Sequence, residues 1–295
     1  GGERVAQEAM RERIGLELAR YEAGEVTSEL NVIASPLHGV RTSFDLMPLE
    51  GEPAGANIIA RLVQVPRALD QYRQTLLAAA GKGHVSSQTQ IVEVAKQCAV
   101  WTDPTGDDFY SGLARRVVAS GAQRADLERA ARAATEATAA FGAFLRTELA
   151  PRGQVEQAVG RERYALASQY FLGARIDLDE TYAWGFAELA RIEAEMRAVA
   201  SQIVARNGLG AVGTGLVDEA VSALDADPAR TITGKEQFRD WMQRLTDAAI
   251  GELHGTHFDI PEQVRRMECR IAPTSDGGIY YTGPSEDFSR PGRMW

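Results

Sequence analysis

Apolar side chains recur at every third or fourth position over much of the chain, which is the spacing of one face of an α-helix. Within residues 58–76, six such residues are separated by four, three, four, three and four positions. Pro66 lies inside this run and lacks an amide hydrogen, so we expect a kink or a break there. Residues 121–149 are rich in alanine, which has the highest helix propensity. The pattern predicts a mainly helical body.

A second long helix is predicted to begin after Asp177, because Glu180 follows three residues later as in a capping box. Glu188 and Arg191 fall on the polar side of this helix, and Asn207-Gly208 is typical of a helix end. The apolar stripe, at spacings of three or four, consists of Leu178, Tyr182, Phe186, Leu189, Ile192, Met196, Val199 and Ile203.

A further helix is predicted near the end of this helical region. Thr233 is followed by Glu236 at the spacing of a capping box, and Gly255 is the expected end of the helix.

The pattern changes after Pro261. Residues 267–272 have no helical stripe, residues 274–278 are typical of a turn, and residues 279–282 are rich in strand formers. We therefore predict a two-stranded β-ribbon. The predicted fold class is mainly α, a multi-helix body with a small β-ribbon near the C-terminus. Residues 1–260 form the helical region and residues 261–295 the ribbon and a loop.

The charge of the chain disfavours two classes of partner. The net charge is −9 and the pI is near 5.1, so binding to nucleic acid or to an anionic membrane lacks a cationic surface. No run approaches the ~20 apolar residues of a membrane span, and the N-terminal residues have no signal-peptide core. Cys98 and Cys269 are expected to be free thiols. We predict a cytoplasmic protein.

The chain has few motifs that indicate chemistry. Residues 208–213 match G-x-G-x-x-G, but a long predicted helix precedes them where a dinucleotide site needs a strand, so we interpret them as a helix stop. His254 and His257 form the only cluster of histidines, and no H-E-x-x-H is present. Metal ligation, hydrogen bonding in a cleft and a plain structural role all remain open for them.

The last residues of the chain resemble a binding loop. Tyr280 and Tyr281 are adjacent, so on a strand they would point to opposite faces. Arg290 and Arg293 bracket Pro291-Gly292, a turn that could direct guanidinium groups at a carboxylate. The alternative is an ordinary proline-rich surface loop. Because the chain starts without Met and ends inside this segment, we expect it to be a fragment of a larger protein.

Long segments across the chain resemble a bacterial family known as domain of unknown function 885. They are LNVIASPLHGVRTSFDLMP (30–48), ANIIARLVQVPRALDQYRQTL (56–76), DLDETYAWGFAEL (177–189), LHGTHFDIPEQVRRMECRIAP (253–273) and YYTGPSEDFSRPGRMW (280–295). Members of that family are longer and resemble helical, two-lobed zinc metallopeptidases. Their zinc motif, which contains His-Glu, lies downstream of the equivalent of Trp295.

The resemblance implies that this chain is the N-terminal and middle part of a zinc-dependent peptidase-like hydrolase. Zinc is expected in the full-length protein, whereas no residue of this chain receives a catalytic or metal-ligating role. The chain alone is not expected to be catalytically competent. The ribbon, residues 267–283, would hold a peptide or small-molecule substrate through backbone pairing. Tyr280, Tyr281, Arg290 and Arg293 would flank the substrate, with His254 and His257 nearby.

Two further expectations complete this interpretation. The alternative function is a non-catalytic helical module that binds a peptide or a small acid. The expected partner in either case is the missing C-terminal half of the protein or another copy of the chain, because an isolated ribbon would leave apolar surface exposed.

Overall fold

The computed structural model describes residues 2–45, 47–51, 53–105, 108–209, 215–272 and 279–295. The chain divides into two compact units, the first ending at Asp177 and the second beginning at Leu178.

The regular structure described in the first unit is helical, apart from an isolated bridge between Ser87 and Gln154. Its helices are α1 (Gly2–Glu22), α2 (Pro36–Thr42), α3 (Ala54–Leu62), α4 (Val65–Ala80), α5 (Gln88–Trp101), α6 (Phe109–Arg116), α7 (Gly121–Phe144) and α8 (Arg161–Leu172). A π-helical turn, Leu145–Leu149, and a 3₁₀ turn, Ala150–Arg152, continue α7.

Helix α7 lies at the centre of this unit and contacts α3, α4, α5 and α6. Its buried side includes Leu127 and Phe141, with Ala131 and Ala134 between them, so a block of small residues lies between large ones along the contact. Alanines bring neighbouring helix backbones close together, and the few large residues fill the remaining space. The alanine-rich segment is therefore the packing centre of the unit.

The break predicted at Pro66 is confirmed. Helix α3 ends at Leu62 and α4 begins at Val65, which places Pro66 in the first turn of α4. The missing amide hydrogen costs nothing at this position, because the first amides of a helix have no partner within the helix.

In its described residues, the second unit combines three α-helices with a small sheet. The helices are α9 (Leu178–Arg206), α10 (Leu216–Asp225) and α11 (Lys235–Leu253), and the strands are β1 (Met267–Cys269), β2 (Tyr281–Thr282) and β3 (Gly292–Met294). A 3₁₀ turn, Glu262–Val264, precedes β1. The predicted fold class, mainly helical with a small sheet near the C-terminus, is confirmed, and the sheet has a third strand.

The predicted helix starts differ in accuracy. Helix α9 begins at Leu178, directly after Asp177 as expected. Helix α11 begins at Lys235, and its N-cap is Gly234, which has a φ of 100° and no side-chain cap. The expected capping box at Thr233 is therefore displaced, because the left-handed backbone of Gly234 sets the start of the helix.

The apolar stripe of α9 is largely outside the core. Of this helix only Ala200 and Val204 are buried, where α10 packs against it. The stripe residues that are at least 41% exposed are Tyr182, Phe186, Leu189, Ile192, Met196 and Val199. Contiguous apolar surface of this kind marks an interaction site in folded proteins. In the described part of the chain, no helix is both long and apolar enough to cross a membrane.

Both cysteines are free and buried. Cys98 lies on α5 against α7, and burial raises the pKa of its thiol to about 12. A thiol with such a pKa is protonated at neutral pH, and the thiolate is the reactive form. Cys98 is therefore a small core residue.

The close approach of α5 to α7 at Gly142 leads to a stability prediction. A Cβ atom added at Gly142 would lie 2.8 Å from the Cβ of Cys98, so one of the helices would have to shift. We expect Gly142→Ala to lower the free energy of unfolding by about 1–3 kcal/mol in urea denaturation. The matched control is Gly15→Ala in α1, where the added atom meets nothing within 4 Å. That control should raise stability by about 0.5–1 kcal/mol, and equal effects of the two substitutions would contradict the packing argument.

Candidate functional site

The candidate site is built on the small sheet of the second unit, in which β3 lies between β1 and β2. Strand β3 runs parallel to β1 and antiparallel to β2. The expected ribbon joined residues 267–272 directly to residues 279–282. Instead, the two segments flank a third strand, because the amide of Arg270 donates to Met294 (2.8 Å) and the amide of Trp295 donates to Tyr280 (2.9 Å). Residues 274–278, the expected turn, lie outside the described residues.

One face of the sheet carries an aromatic pair. The rings of Tyr280 and Trp295 stack with centroids 6.2 Å apart and planes at 16°. The indole nitrogen of Trp295 donates to Thr282 Oγ1 at 2.9 Å. Because alternate residues of a strand share a face, Arg293 lies on this side too, with its guanidinium carbon 5.9 Å from the Trp295 ring.

Tyr281 lies over the opposite face of the sheet. A Cβ added at Gly292 would fall 2.8 Å from the ring carbons of Tyr281 and even closer to its hydroxyl. Glycine at position 292 therefore leaves the space that the tyrosine ring occupies. The two adjacent tyrosines contact different sides of the sheet, so only Tyr280 belongs to the aromatic pair with Trp295.

Glu268 joins arginines from two strands. Its carboxylate accepts from Arg270 at 2.9 Å and from Arg293 at 3.0 Å, and Arg266 is 4.0 Å away. The hydrogen bond from Arg270, followed by that from Arg293, lowers the pKa of Glu268. Arg293 is directed at a carboxylate of its own chain, as expected of a guanidinium near an acid. The group of three arginines and one carboxylate leaves a net positive charge on this face.

Among the described residues, the guanidinium of Arg290 is directed at backbone carbonyls, and its expected place beside a substrate stays a prediction. Its guanidinium donates to the carbonyl oxygens of Gly283 (2.8 Å) and Pro291 (3.2 Å). Its backbone also exchanges bonds with Ser285. Carbonyls of a tight loop are the nearest acceptors, so Arg290 holds residues 283–291 closed and brings β3 back beside β2.

Asp287 stabilises the same loop. Its carboxylate accepts from the hydroxyls of Ser285 and Ser289 and from the amide of Ser289. These hydrogen bonds, that of the Ser285 hydroxyl first, lower the pKa of Asp287 to about 2. The loop therefore keeps a carboxylate charge over the physiological pH range, and it is ordered by its own side chains.

The two histidines lie in the turn that ends α11. His254 follows the last helical residue, and its Nδ1 accepts the amide hydrogen of Ile260 at 3.2 Å. His257 is exposed, with Nδ1 3.1 Å from Thr256 Oγ1. Gly255 has a φ of 76°, which ends the helix as expected. Among the described residues, no hydrogen bond, ion pair or ring contact joins either histidine to the sheet.

These residues do not fit a zinc site. Among the described residues, no group of three or more His, Cys, Asp or Glu side chains could hold a metal ion. Structural and catalytic zinc sites need at least three protein ligands. No catalytic step through zinc is assigned to this part of the chain.

The glycine-rich segment is described only in part. Gly208 has a φ of 66° and follows α9, so it acts as the expected helix stop. Residues 210–214, which include the rest of the motif, lie outside the described residues.

The outer edge of β1 is closed by a side chain of α11. The amide group of Gln243 accepts the backbone hydrogen of Cys269 (2.8 Å) and donates to the carbonyl of Met267 (2.8 Å). These are the backbone groups of β1 that point away from β3. Gln243 thus makes the two hydrogen bonds that a neighbouring strand would make with β1. Sequence reasoning missed it, because a glutamine on a helix gives no signal of the strand it will face.

The outer edge of β2 has no such partner among the described residues. Tyr280 and Trp295 exchange both backbone hydrogen bonds, at 3.3 and 2.9 Å. Bonded and non-bonded pairs alternate along antiparallel strands, so Tyr281, opposite Met294, directs its N–H and C=O outward. Within the part of the chain that the structure describes, the sheet therefore has one closed edge and one edge whose donor and acceptor are available for pairing.

The closed edge can be tested directly. We expect Gln243→Ala to lower the free energy of unfolding by about 1 kcal/mol, because the Cys269 amide loses its acceptor. Hydrogen exchange at the Cys269 amide should accelerate in the variant. Gln237→Ala, on an exposed position of the same helix, is the control and should leave that amide unchanged. Unaltered protection at Cys269 in the Gln243 variant would disprove the proposed edge closure.

Comparison with solved structures identifies a chain of similar fold. It is described as "the putative lipoprotein from Colwellia psychrerythraea" and is 18% identical, with a TM-score of 0.65. The match covers 90% of this chain and 48% of that chain, so the present chain spans about half the length of this solved relative. At this identity the similarity shows the fold alone. No match is found among the curated proteins.

The family comparison covers the whole sequence. The model of a family described as "Bacterial protein of unknown function (DUF885)" matches residues 1–295. The sequence segments that resemble this family lie in both units of the chain, and the match to the family model also extends over both units. The chain therefore belongs to the DUF885 family.

Proposed function

We propose that residues 1–295 are the substrate-binding part of a zinc-dependent, peptidase-like hydrolase, and that the sheet of the second unit holds an extended peptide. The observation that carries this proposal is the outward donor and acceptor of Tyr281 on the outer edge of β2. Peptide-binding proteins commonly add an extended segment to a sheet edge in this way, with the main chain providing affinity.

The geometry limits pairing to one edge. Gln243 already occupies the outward groups of β1 at Met267 and Cys269. A peptide would therefore pair with Tyr281, and its side chains would alternate between the two faces of the sheet. All of residues 267–283 are expected from the sequence to hold the substrate, whereas the proposal assigns the backbone pairing to β2 alone.

The aromatic face supports recognition of substrate side chains. Tyr280 and Trp295 form a stacked pair beside the group of arginines around Glu268. Stacked rings provide a rigid apolar surface, and excess guanidinium charge favours a carboxylate on the bound molecule. Arg290 supports this arrangement indirectly through the loop. His254 and His257 have partners of their own in the turn after α11 and receive no role.

The chemical step is proposed to take place elsewhere in the full-length protein. The family resemblance implies zinc ligands beyond Trp295, and a bound zinc ion would activate water and polarise the scissile carbonyl. The residues described above bind and orient the peptide. Proximity of this kind accelerates a reaction only if the bound geometry is held firmly, as the paired strands and the closed loop would do.

The test uses two substitutions of one residue in the full-length protein. Tyr281→Pro removes the outward N–H, while the bonds between β2 and β3 remain because they use Tyr280 and Thr282. Tyr281→Ala removes the same ring and keeps the N–H. We expect Tyr281→Pro to weaken binding of an extended peptide about tenfold more than Tyr281→Ala, since a hydrogen bond in a protected site contributes about 1.4 kcal/mol. Equal affinities of the two variants would overturn the proposal of backbone pairing.

The same material separates the hydrolase from the binding module. Cleavage of a peptide library that stops after chelation and returns with zinc supports the hydrolase. Binding of peptide without any cleavage, in a protein that contains no zinc, supports the non-catalytic module.

Arg293→Ala should weaken the binding of peptides that carry a carboxylate more than the binding of neutral peptides, because the guanidinium contributes to the positive face.

We also propose that the rest of the full-length protein covers the exposed apolar stripe of α9. The solved relative is about twice as long as this chain, which provides a covering segment. Residues such as Phe186, Leu189 and Ile192 would otherwise expose a continuous apolar surface to water.

This association has a clear hydrodynamic test. Residues 1–295 alone should self-associate in light scattering, and co-expression with the remainder of the protein should give a one-to-one complex instead. Replacing Leu189, Ile192 and Met196 by glutamine should reduce self-association. A monodisperse monomer of the unaltered chain would contradict the proposal.

A further inference from the structure

A small apolar cavity lies between α11 and one end of the sheet. Its volume is about 170 Å³. Helix α11 contributes Phe238 and Met242, and the sheet contributes Cys269, Ile279 and Met294. The cavity is at the end of the sheet where β1 and β3 finish and β2 begins, because β2 runs antiparallel to both.

Cys269 and Met294 line the cavity from the same side of the sheet as Tyr281, whereas Arg270 and Trp295, which also line it, belong to the other face at the end of the strands. Thr246 of α11 contacts Cys269 at 3.4 Å, which shows that this face of the sheet is turned towards the helix. Met294 pairs with Tyr281 and shares its face, and Ile279 precedes Tyr281 by two residues and shares it as well. A peptide paired with the outer edge of β2 would direct every second side chain to this face.

The walls of the cavity select against charge. The two arginines that line the cavity, Arg239 and Arg270, already pair with carboxylates: Arg239 with Glu236 and Asp240, and Arg270 with Glu268. An ionised side chain inside the cavity would lose its water and would have to compete for those pairs. An apolar side chain gains from leaving water and disturbs no ion pair.

The size of the cavity matches one side chain. An apolar protein cavity of roughly 150 Å³ accommodates benzene, so a leucine or phenylalanine side chain fits this volume. We propose that the cavity between α11 and the sheet is a specificity pocket for one large apolar side chain of a peptide held on β2. The inference rests on the proposed function, and it adds the chemical class of the substrate.

The experiment measures binding of labelled alanine-based peptides to the full-length protein by fluorescence anisotropy. In each peptide one alanine is replaced by leucine, phenylalanine or aspartate, and every position is substituted in turn. This scan finds the register in which the peptide pairs with β2. At one position, the peptide with leucine or phenylalanine should bind about tenfold more tightly than the all-alanine peptide. The peptide with aspartate at that position should bind no more tightly than the all-alanine peptide.

Two substitutions link this preference to the cavity. Ala272→Leu places a larger side chain at the cavity wall and should abolish the preference while affinity for the all-alanine peptide is unchanged. Met242→Ala enlarges the cavity and should shift the preference from leucine towards phenylalanine. The second variant keeps the test decisive if the first one does not fold.

The outcomes separate the two proposals. Peptides that bind through the outward N–H of Tyr281 but show no position with an apolar preference would overturn the pocket and leave the peptide edge in place. A preference that neither substitution alters would also overturn the pocket. If no peptide binds at all, both proposals fail.

Discussion

Strand β3 has hydrogen-bonding partners on both sides, and the arrangement of the sheet depends on this. Gly292–Met294 pairs in parallel with β1 and antiparallel with β2, so the chain must return between two segments that the sequence places next to each other. The loop before β3 makes the return possible: Arg290 binds its carbonyl oxygens and Asp287 binds its hydroxyls. Gly292 then leaves room for the Tyr281 ring. Loop, glycine and tyrosine thus form one structural unit.

The inner pairing also decides which parts of the sheet can interact with another molecule. Once β3 occupies the middle, β1 and β2 each have one outer edge. Gln243 satisfies the edge of β1, whereas the edge of β2 at Tyr281 has no partner among the described residues. A residue of a helix therefore determines the side on which a strand can be added, although it lies far from that side in sequence.

Much of the architecture could be predicted because it is local. The break before Pro66, the start of α9 after Asp177 and the helix end at Gly255 each follow from the backbone chemistry of one or two residues. The order of the strands could not be predicted, because three residues at Gly292–Met294 are too few to show an alternating pattern. The partner of Arg290 could not be predicted either, since it depends on how the loop closes. The apolar stripe of α9 was visible in the sequence, but its exposure was not, because exposure depends on which elements pack against the helix.

The closed edge of β1 has a consequence for aggregation. A sheet with two open edges can add strands without limit, which is the geometry of fibres. Here a second copy could pair only through β2, and the resulting double sheet would end on both sides at a β1 strand that Gln243 has already covered. Growth would therefore stop at two copies. One glutamine side chain makes any edge-to-edge association of this sheet self-limiting.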